Sequence, residues 1–155
     1  MTAAPRLPLR PAGAGDLPAI AALVAESYGP WVARIGQRPG PLDDDYGALV
    51  AAGRVLVLEE DGAVRALLVL IPEPGALLLD NVAVARAAQG RGLGRALVAE
   101  AEARARALGL PVLRLYTHAR MDTNIALYQR LGFEITDRRV QNGRERVFMA
   151  KALER

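Results

Sequence analysis

The 155-residue chain contains no cysteine, which excludes disulfides, thiolate metal sites and a cysteine nucleophile. Its single histidine, His118, cannot build a histidine-based metal centre, so no metal is expected. No apolar run approaches the ~20 residues that a membrane-spanning helix needs. The opening "MTAAPRLPLRP" has proline and arginine where a secretory signal requires a continuous apolar core. A cytoplasmic protein without a membrane partner is therefore expected. Lysine is nearly absent too: Lys151 stands alone, and the other basic residues are arginines interleaved with acids, as in "AEAEARARALG". The pI is near 9.8 but the net charge is only +3, and no basic stripe of the kind that tracks a nucleic-acid backbone is formed. Nucleic acid is not an expected partner.

What is present is an ordinary globular composition, 52% hydrophobic and 24% charged. A chain of this size suits one domain over residues 1–155, burying roughly 70% of the surface its unfolded form exposes. Asp16 to about Ser27 reads as a helix with an aspartate cap and a proline in its first turn, its face formed by Leu17, Ile20, Leu23 and Val24. The Gly- and Pro-rich stretch from Tyr28 to Tyr46 reads as a long irregular loop, of the kind that is usually functional or mobile. A short helix from about Asp44 to Ala52 follows.

"RVLVLEEDGAVRALLVLI" is a hairpin turning at Asp61-Gly62, and "ALLLDNVAV" is a third strand. A helix then runs from about Leu93 to Leu108, with Leu93, Leu97, Val98, Ala101 and Leu108 on its apolar face and Gly109 ending it. "PVLRLYT" is a strand and Asp122 to Leu131 a helix. A last hairpin turns at Asn142-Gly143. The predicted class is a mixed α/β fold with helices covering one sheet. Leu77 and Leu79 share one face of the third strand, whereas Val82 and Val84 are one step out of phase. A bulge near Asp80–Asn81 accounts for the slip.

The stretch "QGRGLG", Gln89 to Gly94, lies between that strand and the helix after it. Backbone N–H groups are unpaired there and the helix dipole is positive, which suits an anion. Glycine permits close approach and positive φ, and Arg91 and Arg95 add charge. Neither familiar phosphate loop fits. A dinucleotide fingerprint would need glycine at Arg95 or Leu97, and a Walker loop would need Gly-Lys-Ser/Thr. A helix start with permissive glycines is the alternative.

The segment "VAVARAAQGRGLGRALVAEAEARARALG" resembles the acyl-CoA-binding segment of the GNAT superfamily of N-acetyltransferases. Gln89, Gly92 and Gly94 meet its Q/R-x-x-G-x-G/A signature. A second family element follows in "NIALYQRLGF", with Asn124, Tyr128, Gly132 and Phe133. The two motifs span about residues 76–134. The resemblance implies a single-domain GNAT-like fold, a mostly antiparallel sheet with one parallel, splayed strand pair. It implies acetyl-CoA as cosubstrate, with the backbone of Gln89, Gly90, Arg91, Gly92, Leu93, Gly94 and Arg95 wrapping the pyrophosphate. The pantetheine arm would run beside Val82, Ala83 and Val84, and Asn124 would contact the cofactor or a bound water.

The implied reaction is acetyl transfer to a primary amine, with a backbone N–H of Val82 or Val84 polarising the thioester carbonyl. Tyr128 stands where the family keeps a group beside the departing sulfur. For the base, Asp80 occupies the strand that carries the family's acidic residue. His118 is the alternative, with a reference pKa nearer that of an α-amine, and a water chain is a third. Tyr28, Trp31 and Tyr46 could wall the acceptor site. Asp43, Asp44 and Asp45 either attract a cation or begin a helix. The acceptor is a small-molecule or peptide amine, and the reading leaves room for a homodimer. Acetylation of a protein N-terminus and a non-catalytic acyl-CoA-binding module are the competing functions.

Overall fold

In a computed structural model, which describes residues 7–154, seven strands form one sheet in the order β1-β2-β3-β4-β5-β7-β6. The strands are β1 (Leu9–Pro11), β2 (Val55–Glu60), β3 (Ala63–Glu73), β4 (Ala76–Val84), β5 (Val112–His118), β6 (Glu134–Gln141) and β7 (Arg144–Ala152). The helices are α1 (Leu17–Ile35), α2 (Tyr46–Ala51), α3 (Leu93–Ala107) and α4 (Asp122–Arg130). All strand pairs are antiparallel except β4–β5. The β4–β5 connection runs through α3, as a parallel pair requires.

Strand alternation divides the core between the two sheet faces. Leu58, Ala66, Leu68 and Leu70 pack with α3 residues Leu97, Val98 and Ala101. Their neighbours Val55, Val57, Leu67 and Val69 pack with Ile20, Leu23 and Val24 of α1. Both predicted hairpin turns are present, with positive φ at Asp61 (54°), Gly62 (77°), Asn142 (52°) and Gly143 (74°). That is the backbone a two-residue turn needs to match strand twist.

The structure corrects the sequence reading at the first helix. α1 continues eight residues past Ser27, through Tyr28, Gly29 and Pro30, to Ile35. Gly-Pro signals a break, and Pro30 does remove one intrahelical donor. Tertiary packing overrides it: Ile35 is buried, Arg120 donates to its carbonyl at 3.2 Å, and Gly36 closes the end at φ 76°. The irregular segment shrinks to residues 36–45, which include a 3-10 turn at Gly40–Asp43. Asp16 does not cap α1. Its carboxylate accepts from the Gly13 N–H at 2.8 Å and pairs with Arg10 at 2.8 Å. Leu108, expected on the buried face, is 58% exposed because α3 ends one residue before it.

Candidate active site

The site begins where β4 and β5 part. They pair at Leu77–Leu113 and Leu78–Arg114 and no further. On its other side β4 follows β3 in register at Leu70–Leu79 and again at Val69–Asn81, so Asp80 is the extra residue of a bulge. This is the predicted slip: Leu77, Leu79, Val82 and Val84 all belong to the α3 face, while Ala83 joins the α1 face. Asn81 turns with Ala83 and is buried.

Register also decides where the backbone of β4 points. The Ala85 N–H donates to the Arg65 carbonyl at 2.7 Å, and opposed antiparallel pairs alternate between bonded and non-bonded. Ala83 is therefore bonded to β3, whereas Val82 and Val84 direct N–H and C=O toward the gap. Two side chains reach those outward carbonyls: the Tyr28 hydroxyl bonds Val82 O at 3.2 Å and Gln89 Nε2 donates to Val84 O at 3.3 Å.

At one end of the gap lies the glycine loop. Gly90 and Gly92 have φ of 83° and 75°, the left-handed region, and Gly92 is the N-cap of α3. A Cβ on Gly90, Gly92 or Gly94 would meet nothing within 4 Å, so these glycines leave open space for a ligand. The first α3 bond is Ala96 N–H to Gly92 O. Among the described residues, no protein acceptor takes the N–H groups from Gly90 to Arg95. Six consecutive free donors at a helix N-terminus form a cradle suited to a phosphate. Arg91 is not free to join it, because its guanidinium makes a two-point pair with Glu60, both contacts 2.9 Å. Arg95 is exposed.

At the other end the cleft is lined by Tyr28, Asp80, Asn81, Tyr116, His118, Tyr128 and Arg146, among others. Asp80 accepts from the Tyr116 hydroxyl at 3.1 Å and is within hydrogen-bonding reach of Asp44. Burial pushes the Asp80 carboxyl above the usual range, opposed by the Tyr116 hydrogen bond and the charge of Arg146. Burial, with Asp80's charge beside it, pushes Asp44 up to about 6. The three consecutive acids have separate roles. Asp45 caps α2 through the Ala48 N–H at 3.0 Å, and Asp43 pairs with Arg38 and Arg144. Asp44 alone turns to Asp80.

Asn81 ties the aromatic walls together. Its Oδ1 accepts from the Tyr28 hydroxyl and its Nδ2 donates to the Tyr46 hydroxyl at 2.8 Å, which passes a bond to Pro41 O at 2.7 Å. Trp31 lies away from this end. It lines the groove with Ser27, Val82, Gln89, Thr123 and Asn124, on the route from the glycine loop into the gap.

Asn124 and Tyr128 are four apart on α4 and face the same cleft. The Tyr128 hydroxyl has no hydrogen-bond partner among the described residues, and burial pushes it up to about 12. Its ring meets Phe133 edge-on at 5.7 Å. His118 is the buried end of β5. Its Nδ1 accepts from the Arg120 N–H at 3.1 Å, so Nε2 carries the proton and donates to Gln37 Oε1. Burial lowers its pKa, and neither nitrogen offers a free lone pair.

Sequence reasoning missed Asn81, Tyr116, Arg146 and the specific part of Asp44. A signal was available for two of them. An amide inside an apolar strand must find partners if buried, and β5 alternates Leu113 and Leu115 with Arg114 and Tyr116, leaving one face polar.

No curated protein matches this sequence in a direct comparison. Solved structures do match in fold. A GNAT family acetyltransferase from Elizabethkingia anophelis with acetyl-CoA bound is 21% identical, with TM-score 0.72, covering 94% of this chain and 97% of that one. The PaiA N-acetyltransferase from Thermoplasma acidophilum, in complex with coenzyme A, is 17% identical, with TM-score 0.71 and coverage of 93% and 97%. The ribosomal-protein-S18-alanine N-acetyltransferase from Escherichia coli is 23% identical, with TM-score 0.68 and coverage of 95% and 94%. The sequence profile of the acetyltransferase (GNAT) family matches residues 18–133, from α1 through both motifs to Phe133. The chain belongs to the acetyltransferase (GNAT) family.

Proposed function

We propose that this protein moves an acetyl group from acetyl-CoA to a primary amine of a small molecule, by direct attack in a ternary complex. The observation that carries the reading is the gap between β4 and β5, which has Asp80 and the Val82 N–H on one wall and Tyr128 on the other. Acetyl-CoA would supply the thioester, whose C–S bond breaks as the C–N bond to the amine forms. The free N–H groups from Gly90 to Arg95 would hold its pyrophosphate, and Trp31 and Asn124 would flank the arm.

Asp80 takes a proton from the acceptor's ammonium, leaving the neutral amine to attack the thioester carbonyl. An ordinary carboxylate near 3.9 faces a gap of roughly 6–7 pH units from a lysine-like amine near 10.4. Burial narrows that gap by raising Asp80, and Asp44 within its reach can share the proton. His118 is the weaker base, since its nitrogens are engaged by Arg120 and Gln37. The Val82 N–H donates to the carbonyl oxygen as charge develops there, a contribution of about 3 kcal/mol for one such donor. Tyr128 hydrogen-bonds the departing sulfur.

A small acceptor is favoured over a protein N-terminus by the roof of the cleft. Residues 36–45 are fastened to the β6–β7 hairpin by Gln37 to Gly143 O (3.2 Å), Arg144 to Arg38 O (2.8 Å) and Arg144 to Asp43 (3.0 Å). That clamp encloses the acceptor end, whereas a peptide needs an open groove. Free-thiol release from acetyl-CoA across amino acids, polyamines, arylamines, aminoglycosides and peptides tests the reading. Turnover of small amines well above hydrolysis is expected. Peptide-only turnover would move the assignment to the protein N-terminus, and acetyl-CoA binding without turnover would favour a non-catalytic module.

A further inference from the structure

We infer that Arg146 is a specificity residue that receives a carboxylate carried by the acceptor, so that the acceptor class is a free amino acid rather than a simple amine. The inference rests on the acetyl-transfer reading above. Arg146 lies on β7 opposite His118 and lines the same cleft as Asp80. Its guanidinium carbon sits 4.5 Å from the centroid of the Tyr116 ring, and the hydroxyl of that ring donates to Asp80. Asp80 and Arg146 thus meet the same tyrosine, Asp80 at its hydroxyl and Arg146 over its ring face.

The other arginines of the last hairpin that are paired differ from it. Arg144, in the same cleft, is neutralised by Asp43, and Arg139 pairs with Asp137. Arg146 commits Nη1 to Gln141 Oε1 at 2.6 Å and forms no ion pair among the described residues. Asp80 and Asp44 feel its charge without reaching it as ion-pair partners. The residue facing it is Gly40, where a Cβ would come within 3.3 Å of Nη2. Gly40 does not have a positive φ, so its lack of a side chain serves space beside the guanidinium rather than a turn.

A half-buried cation with most of its fork unused is costly unless an anion meets it, and a carboxylate matches that fork at two points. An amino acid bridges the two charges, its ammonium on Asp80 and its carboxylate on Arg146. A simple amine or a diamine leaves Arg146 unpaired and brings a second positive charge toward it.

The test uses three matched pairs: leucine with isoamylamine, phenylalanine with phenethylamine, and lysine with cadaverine. Thiol release gives kcat and KM for the parent protein, Arg146→Met and Arg146→Lys. Calorimetry with coenzyme A present measures binding of the same compounds independently of turnover. The parent should prefer at least one amino acid over its decarboxylated partner by about tenfold or more. Arg146→Met should raise KM for that amino acid roughly 10- to 100-fold, the range for a lost hydrogen bond to a charged group. The partner amine has no carboxylate to lose, so its KM should change far less. Any effect on kcat through the charge beside Asp80 falls on both members of a pair alike, and Arg146→Lys should recover part of the KM loss. Equal or better use of the amines, or equal rises in KM for both members of a pair, overturns the inference while leaving acetyl transfer intact. Arg146-dependent binding of an amino acid without turnover supports the inference and counts against acetyl transfer. Absence of binding and turnover for all three amino acids overturns it.

Discussion

Tyr128→Phe removes one oxygen atom and isolates one function. In the folded chain the Tyr128 hydroxyl has no partner among the described residues, while the ring keeps its edge contact with Phe133. Deleting the hydroxyl therefore breaks no folding interaction, and the stability change should stay within about 0.5 kcal/mol. Its role in turnover is bounded by acidity. Burial pushes the phenol up to about 12, whereas a thiol sits near 8.5, so full proton transfer to the departing sulfur is uphill by about 5 kcal/mol. Donation of a hydrogen bond to the developing thiolate remains, at about 1.5–3 kcal/mol. The expected loss is roughly 10- to 150-fold in kcat. The KM for acetyl-CoA should be nearly unchanged, and the loss should be constant from about pH 6 to about pH 9, where a phenol of this acidity does not titrate. Steady-state kinetics and a thermal melt on the same preparation measure all of this. Unchanged kcat, or a loss matched by a fall in melting temperature, would remove the Tyr128 hydroxyl from the mechanism.

Other expectations follow from the same geometry. Asp80→Asn should lower kcat by roughly 10²- to 10⁴-fold and flatten the acidic limb of the pH–rate profile; an unaltered profile would hand the proton to water. Gly92→Ala should cost about 1–2 kcal/mol in denaturant melts without ligand. Its Cβ meets no atom but its φ of 75° is left-handed. The same change should weaken acetyl-CoA binding measured by calorimetry, and native stability in that variant would contradict the backbone argument. Asp44 titrates near 6 when folded and about 3.9 when unfolded. The folded chain thus holds that proton more tightly, and the stability it confers is complete below about pH 4 and lost as pH rises through about 6. With solvent discounted, the loss is about 1 kcal/mol. Asp44→Asn should remove that share of the decline, and identical pH dependence in urea melts of both proteins would exclude it.

Features that depend on neighbours along the chain were legible in the sequence. Strand alternation, the helix periods of α3 and α4, and the turns at Asp61-Gly62 and Asn142-Gly143 are local, and each is present in the structure. The phase slip between Leu79 and Val82 was legible as a bulge, because a one-residue slip changes which face every later side chain takes. Gly92 and Gly94, with Asn124 and Tyr128, identified the family because a backbone cradle and a helix face are built from fixed local spacings.

Tertiary structure decided whatever rests on distant partners. α1 runs through Gly29-Pro30 because Ile35 is buried and Arg120 holds its carbonyl from 85 positions away in sequence. Asp43, Asp44 and Asp45 are one acidic run in the sequence, yet one forms ion pairs, one turns to Asp80 and one caps a helix. His118 gave no sign that Gln37 and Arg120 would occupy both its nitrogens. The meeting of Asp80 and Arg146 at one tyrosine, Tyr116, required β4, β5 and β7 to lie side by side. Local spacing fixes conformation, whereas charge pairing and pKa depend on which strands the sheet brings together.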